Sequence, residues 1–286
     1  MHKITIQNLA AKKAAHHKIS MLAVSDYPFA KLAEEAKIEC ILVGDSIGMT
    51  VYGYESLLPV TMEMMISHTK AVRNGAPNSF LIGDLPFLTY EVTNEDAIRN
   101  AGRYMAECGC NAVKLEGGRN RAEVIKSLIN ASIPVVGHIG FTPQAMTMLG
   151  GFVAPGQDAE TALHLIEDAR ILEEAGVCML VLEAVPADVA EIIAKSAGIP
   201  VIGFGSGPAV DGQILLLHDL IGMFESFSAK FAKRYLDMSG QIKKAVGEFI
   251  KEVEDGSFPS SKNYLKMTPG EDIKLRQVLK KKDAGR

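Results

Sequence analysis

Four cysteines in 286 residues, at positions 40, 108, 110 and 178, have neither the spacing of a zinc site nor the pattern of a disulfide framework. Cys108 and Cys110 read as thiols beside a strand. The longest apolar runs, residues 177–185 and 214–217, are far shorter than a bilayer span, and residues 1–18 hold no hydrophobic signal segment. A cytoplasmic protein with no membrane partner is the expectation. Charge of one sign is also scarce, since 30 Lys and Arg against 34 Asp and Glu leave a formal net charge of -4. With no basic stripe and no stacking motif, nucleic acid is excluded as a partner. The run Lys280, Lys281 and Lys282 reads as a solvated terminus. No repeat of fixed period appears as sequence identity.

What the chain does have is apolar bulk in a regular rhythm. At 48% hydrophobic residues it can bury the core of one large globular domain. Continuous apolar runs predict strands over residues 19–24, 41–43, 80–82, 112–115, 134–137, 178–182, 200–203 and 214–217. Helices are expected over 27–37, 60–74, 93–108, 120–130, 158–175 and 187–196, with Thr61 and Thr93 as caps and Gly75 just past a helix end. Strands that are apolar throughout, rather than alternating, are those of a parallel sheet covered on both faces. Eight of them alternating with helices predict a (β/α)8 TIM barrel. Residues 1–260 form this single catalytic domain, with an N-terminal helix and outer C-terminal helices. The outer pair is expected over 228–254, and 261–286 form a C-terminal extension. Residues 140–156, rich in Gly, Thr, Pro and Met, are expected to be a loop without regular structure, of the kind that forms a lid.

The chemistry lies at the strand ends. Ile41-Leu42-Val43-Gly44-Asp45-Ser46 is an apolar run that stops in a carboxylate and a hydroxyl, and Asp84, Glu116 and Glu183 end three more runs in the same way. An acid after a strand is, taken singly, more often a helix cap or a turn residue than a ligand. In a parallel barrel, however, all carboxyl ends share one face, so four such acids converge. Asp45, Asp84 and Glu116 are all oxygen donors and suit a hard cation such as Mg²⁺ rather than Zn²⁺. Lys114 lies two positions before Glu116, so both side chains point into the barrel mouth. An inward lysine needs an anion, either a structural partner among the acids or a substrate carboxylate or oxyanion. Ser46 reads as a turn cap and His138 as a rim histidine just past strand five. The glycine run from Gly203 to Gly207 follows strand seven, where many barrels bind phosphate.

Several segments resemble ketopantoate hydroxymethyltransferases. They are Asp26-Tyr27-Pro28-Phe29-Ala30, the run from Ile41 to Met49, Asp84-Leu85-Pro86-Phe87 and Val113-Lys114-Leu115-Glu116-Gly117-Gly118. Gly137-His138-Ile139-Gly140-Phe141-Thr142-Pro143-Gln144, Leu182-Glu183-Ala184-Val185-Pro186 and Asp211-Gly212-Gln213 with His218-Asp219 continue the match in order over about residues 1–260. The resemblance implies a barrel of the phosphoenolpyruvate/pyruvate-binding type and bound Mg²⁺. It also implies hydroxymethyl transfer from methylenetetrahydrofolate to 3-methyl-2-oxobutanoate in a large cytoplasmic homo-oligomer, commonly a decamer. Asp45, Asp84 and Glu116 match the family's metal acids. Asp45, Ser46, Asp84 and Lys114 match its ketoacid contacts, and Glu183 matches its base. His138 is then expected as an accessory group that orients the new alcohol or helps a proton move.

Ser25, Ser206, Val210 and Asn263 depart from the usual pattern of the family, all of them away from the metal acids. Two other readings remain open at this point. A lyase or mutase on the same scaffold would act on a diacid or phosphonate and would need more cations than Lys114. A catalytically silent barrel would have no need of Glu183.

Overall fold

In the computed structural model, which describes residues 2–151, 154–224 and 231–284, eight parallel strands close into a barrel in sequence order. They are β1 (Ile19–Ala23), β2 (Cys40–Val43), β3 (Phe80–Asp84), β4 (Ala112–Glu116), β5 (Val135–Gly140), β6 (Met179–Glu183), β7 (Val201–Phe204) and β8 (Gly212–Leu216). Closure comes from β8 pairing with β1, Met21 lying opposite Ile214. The last strand begins two residues earlier than its apolar run, because Gly212 and Gln213 gain strand geometry by pairing with β1 and β7.

Side chains two apart on a strand share a face, and the inward set changes character along each strand. Phe80, Ile82 and Asp84 follow one another on β3, and Ala112, Lys114 and Glu116 on β4. The lower members of these series pack into the barrel core with Met21, Leu42, Val136, Val181 and Ile214. Leu9, on the helix Ile6–Ala14, joins the same cluster at 2% exposure. Ion pairs fasten that helix to the loops that precede the strands, Lys12 to Glu39 and Lys13 to Asp211 at 2.6 Å. The N-terminal helix therefore plugs the end of the barrel opposite the acids.

Helix starts follow local chemistry. The side chains of Asp26, Thr61, Thr93 and Asp158 each accept a hydrogen bond from a backbone N–H of the first turn that follows. Gly75 does not stop its helix. It closes the helix Met62–Gly75 from within, and a Cβ there would sit 2.5 Å from the carbonyl of Tyr27, so the glycine lets two helices touch. The expected lid loop contains regular structure after all, a 3₁₀ turn at Pro143–Ala145 and a short helix at Met146–Leu149.

The chain divides into two compact units, Met1–Leu236 and Asp237–Arg286, where the sequence had suggested a domain running to residue 260. In the second unit one helix, Met238–Asp255, replaces the expected pair, and residues 228–230 of that span lie outside the described residues. A further helix, Glu271–Asp283, carries Lys280, Lys281 and Lys282 in its last turn, where their charge opposes the negative end of the helix dipole. No described helix is long and apolar enough to cross a membrane.

Candidate active site

Asp45, Ser46, Asp84, Lys114, Glu116, His138 and Glu183 all line one cavity of about 370 Å³ at the carboxyl ends of the strands. Its upper wall is apolar, with Met49, Leu57, Phe141 and Met146 among the lining residues. Strand register brings the polar groups together. Asp84 lies opposite Lys114, Glu116 opposite His138, and Gly140 opposite Glu183. His138 is not a rim residue beyond β5 but lies within that strand, at 2% exposure, because its neighbours on β4 and β6 supply the partners an imidazole needs there.

The floor is a buried ionic network. The Lys114 ammonium donates to Asp84 Oδ1 at 2.7 Å and to Glu116 Oε1 at 3.2 Å, all three side chains being at most 5% exposed. The Asp45 backbone N–H donates to the other oxygen of Asp84 at 3.2 Å. The structural and the substrate-neutralising readings of Lys114 are thus compatible, since the ammonium holds two acids and also faces the cavity. Ser46 makes no side-chain cap for the short helix Ile47–Thr50, which leaves its hydroxyl available at the cavity wall.

Protonation follows from burial and neighbours. Burial, reinforced by the charge of Asp84, pushes the Asp45 carboxyl well above the usual carboxylate range. Asp84 is also raised by burial, although Lys114 pulls it the other way. Glu116 is the group the network holds ionised: burial opposes its charge, but Lys114 and His138 bring it down to about 2. Burial and the Lys114 charge work against a proton on His138, yet Glu116 and Glu183 outweigh them and raise it to about 9. His138 Nδ1 lies 3.4 Å from Glu116 and Nε2 3.3 Å from Glu183. Neither contact has hydrogen-bond geometry, so they act as ion pairs. Glu183, 13% exposed, is raised by burial, with His138 opposing.

Three acids facing one lysine leave the floor short of positive charge, and the raised Asp45 carries that deficit. Carboxylate oxygens of this kind suit a hard cation. Among the described residues no three acid, histidine or cysteine side chains are gathered as a ready metal cluster. The Lys114 ammonium instead lies between Asp84 and Glu116.

Two residues outside the expected set hold this site. Gln144 is buried, and its amide donates to Asp45 Oδ2 at 2.7 Å. Ser206, one of the departures from the family pattern, accepts from the Val185 N–H and donates to the Leu182 carbonyl at 2.8 Å, which clamps the turn around Glu183. The glycine run makes no open phosphate cradle, because the ring of Phe231 lies over Gly205. Among the Lys and Arg side chains lining the cavity, Lys114 stands alone within the described residues.

A closed parallel barrel whose strand ends hold a buried acid-and-lysine floor beneath an apolar wall has the architecture of a (β/α)8-barrel enzyme. The chain belongs to the ketopantoate hydroxymethyltransferase family, whose model matches residues 3–261. A 3-methyl-2-oxobutanoate hydroxymethyltransferase from Carboxydothermus hydrogenoformans is 47% identical over 269 residues, covering 94% of this chain and 98% of its own. The enzyme of that name from Syntrophus aciditrophicus is 48% identical, with 90% and 94% covered. In fold, the chain resembles phosphonopyruvate hydrolase, with TM-score 0.60 at 15% identity over 99% of this chain and 98% of that one. It also resembles 2,3-dimethylmalate lyase, a member of the PEP mutase/isocitrate lyase superfamily, with TM-score 0.58 at 16% identity and 99% of both chains covered.

Proposed function

We propose that the protein transfers a hydroxymethyl group from 5,10-methylenetetrahydrofolate to 3-methyl-2-oxobutanoate, giving 2-dehydropantoate, the first step of pantothenate biosynthesis. The observation that carries this reading is the pairing of Glu183 with the acid floor through a single imidazole. The chain offers a desolvated base, a charged histidine and a set of anion and cation binders in one cavity, which is what deprotonation beside a ketone requires. The activity named for the relatives supports the choice of substrate, as do the apolar wall and the single lining lysine, which suit a branched monocarboxylate. Cytoplasmic location and assembly as a homodecamer belong to the same reading and rest on the family resemblance.

Asp45, Asp84 and Glu116 would hold Mg²⁺, which when bound supplies a Lewis acid for the keto and carboxylate oxygens of the ketoacid. Lys114 neutralises anionic charge at the same end of the substrate, and Ser46 offers it a hydroxyl. Glu183 takes the proton from C3, and its raised pKa brings it closer to the weak carbon acid it must deprotonate. C3 becomes quaternary when the new bond forms, so elimination cannot detach a folate amine from the product. The one-carbon unit therefore arrives as formaldehyde, released when water adds to the methylene group of the folate. Protonated Glu183 then returns its proton to the new alkoxide, with His138 beside it to orient that oxygen.

The protein with Mg²⁺, ketoacid and methylenetetrahydrofolate should form 2-dehydropantoate and consume both substrates in equal amounts, followed by proton NMR. Ketoacid loss without folate would support a lyase instead.

The pH dependence gives a second check. Activity needs ionised Glu183, so it should fall as pH drops through a value above the ordinary glutamate range. His138⁺ lowers the Glu183 pKa, so His138→Gln should move this acid limb of kcat/KM to higher pH. A limb that stays in place would mean that His138 is not charged beside Glu183.

A further inference from the structure

Gln144 sits on the 3₁₀ turn that follows β5, far in sequence from the strand-end acids, and is 5% exposed. Every hydrogen-bonding group of its side chain is engaged. The amide nitrogen donates to Asp45 Oδ2 at 2.7 Å and to the Leu85 carbonyl at 3.0 Å. The amide oxygen accepts from the Tyr90 hydroxyl at 2.6 Å. Its backbone N–H donates to Glu116 Oε2 at 3.1 Å. One residue on the segment after β5 thereby joins the segments that follow β2 and β3 to the end of β4.

The direction of the amide is determined by its surroundings. The Tyr90 hydroxyl accepts from the Glu116 N–H at 3.2 Å, and its own proton goes to the amide oxygen at 2.6 Å in preference to the Glu116 carbonyl at 3.4 Å. Asp45 and the Leu85 carbonyl are acceptors, so the NH₂ must face them. Asp45 lies beyond the end of β2 and has no strand partner to orient it. Among the described contacts, the Gln144 amide is the one side-chain donor to its carboxylate. Glu116 is held on one oxygen by Lys114 and on the other by the Gln144 backbone.

We infer that Gln144 is a positioning residue, fixing the carboxylates of Asp45 and Glu116 in the orientation they present to the cavity. The inference rests on the proposed role of these two acids in holding Mg²⁺. A buried polar side chain that satisfies only itself would need no such pair of targets. Here the side chain holds Asp45 while the backbone N–H of the same residue holds Glu116, so two acids of one floor are tied to a single position.

The test is titration calorimetry of Mg²⁺ into the full chain at saturating 3-methyl-2-oxobutanoate without folate, together with the melting temperature of the ligand-free protein. Gln144→Met keeps the volume of the side chain and removes the amide. It should weaken Mg²⁺ binding by about tenfold or more, the range seen when partners of metal ligands are removed, in a protein that still melts in one cooperative transition without ligand. Tyr90→Phe removes the group that directs the amide and should cost about threefold. Because Tyr90 reaches the Asp45 carboxylate through Gln144, combining the two should cost clearly less than the sum of the single losses, whereas independent sites add. Unchanged Mg²⁺ affinity in Gln144→Met, or additive losses in the double variant, would overturn the inference. A parent protein that binds no Mg²⁺ would overturn the proposed cation site, and the inference with it.

Discussion

Glu183→Gln will lower the exchange of the C3 proton of 3-methyl-2-oxobutanoate with D₂O by about 10³-fold, within the range expected when a general base is lost. The measurement is proton NMR with Mg²⁺ and without folate, which isolates proton removal from one-carbon transfer. Glutamine keeps the shape of Glu183 and can still contact His138, so the cavity should survive and the ketoacid should still bind. What is lost is the acceptor for the carbon proton. Burial raises the carboxyl above its ordinary range, and His138⁺ opposes that rise. Exchange retained within tenfold would remove Glu183 from the role of base.

Lys114→Met should have the largest effect on stability. The ammonium is buried and pairs with Asp84 at 2.7 Å and Glu116 at 3.2 Å, so its removal strands acids that are themselves buried. Breaking a buried pair from one side costs about 3–5 kcal/mol, because an uncompensated charge remains behind. Urea denaturation of the metal-free protein should register that loss. Mg²⁺ binds the folded acids and should restore part of it, about 2.7 kcal/mol at a concentration one hundred times its dissociation constant. A variant as stable as the parent without Mg²⁺ would mean that the floor acids lose their charge more easily than the network suggests. Equal instability with and without Mg²⁺ would argue against a cation at these residues.

Much of this architecture is legible in the chain. Strands buried on both faces leave unbroken apolar runs, and an acid that ends such a run marks both the strand end and the site. Asp45, Asp84, Glu116 and Glu183 therefore stand out, and Lys114 follows from the two-residue period. His138 is harder, because a polar residue after apolar ones reads as an exit, and only the carboxylates on β4 and β6 let it stay inside. Gln144 leaves no signal of its own kind. Its role comes from Asp45, Leu85 and Tyr90, which are brought to it by two other strands, β2 and β3. The short helix Met146–Leu149 is too brief for periodicity to reveal, and Gly75 shows that a glycine after a helical pattern can serve close packing rather than termination.

The Leu9 plug has a consequence for traffic. With the far end of the barrel filled, the pocket is, among the described residues, a blind alley that opens at the mouth by the strand tips. Under the proposed function, the small ketoacid rests at the bottom and the much bulkier folate must stand in the doorway. Such a layout enforces a queue: the ketoacid goes in first, and tetrahydrofolate has to step out before the finished hydroxyacid can leave.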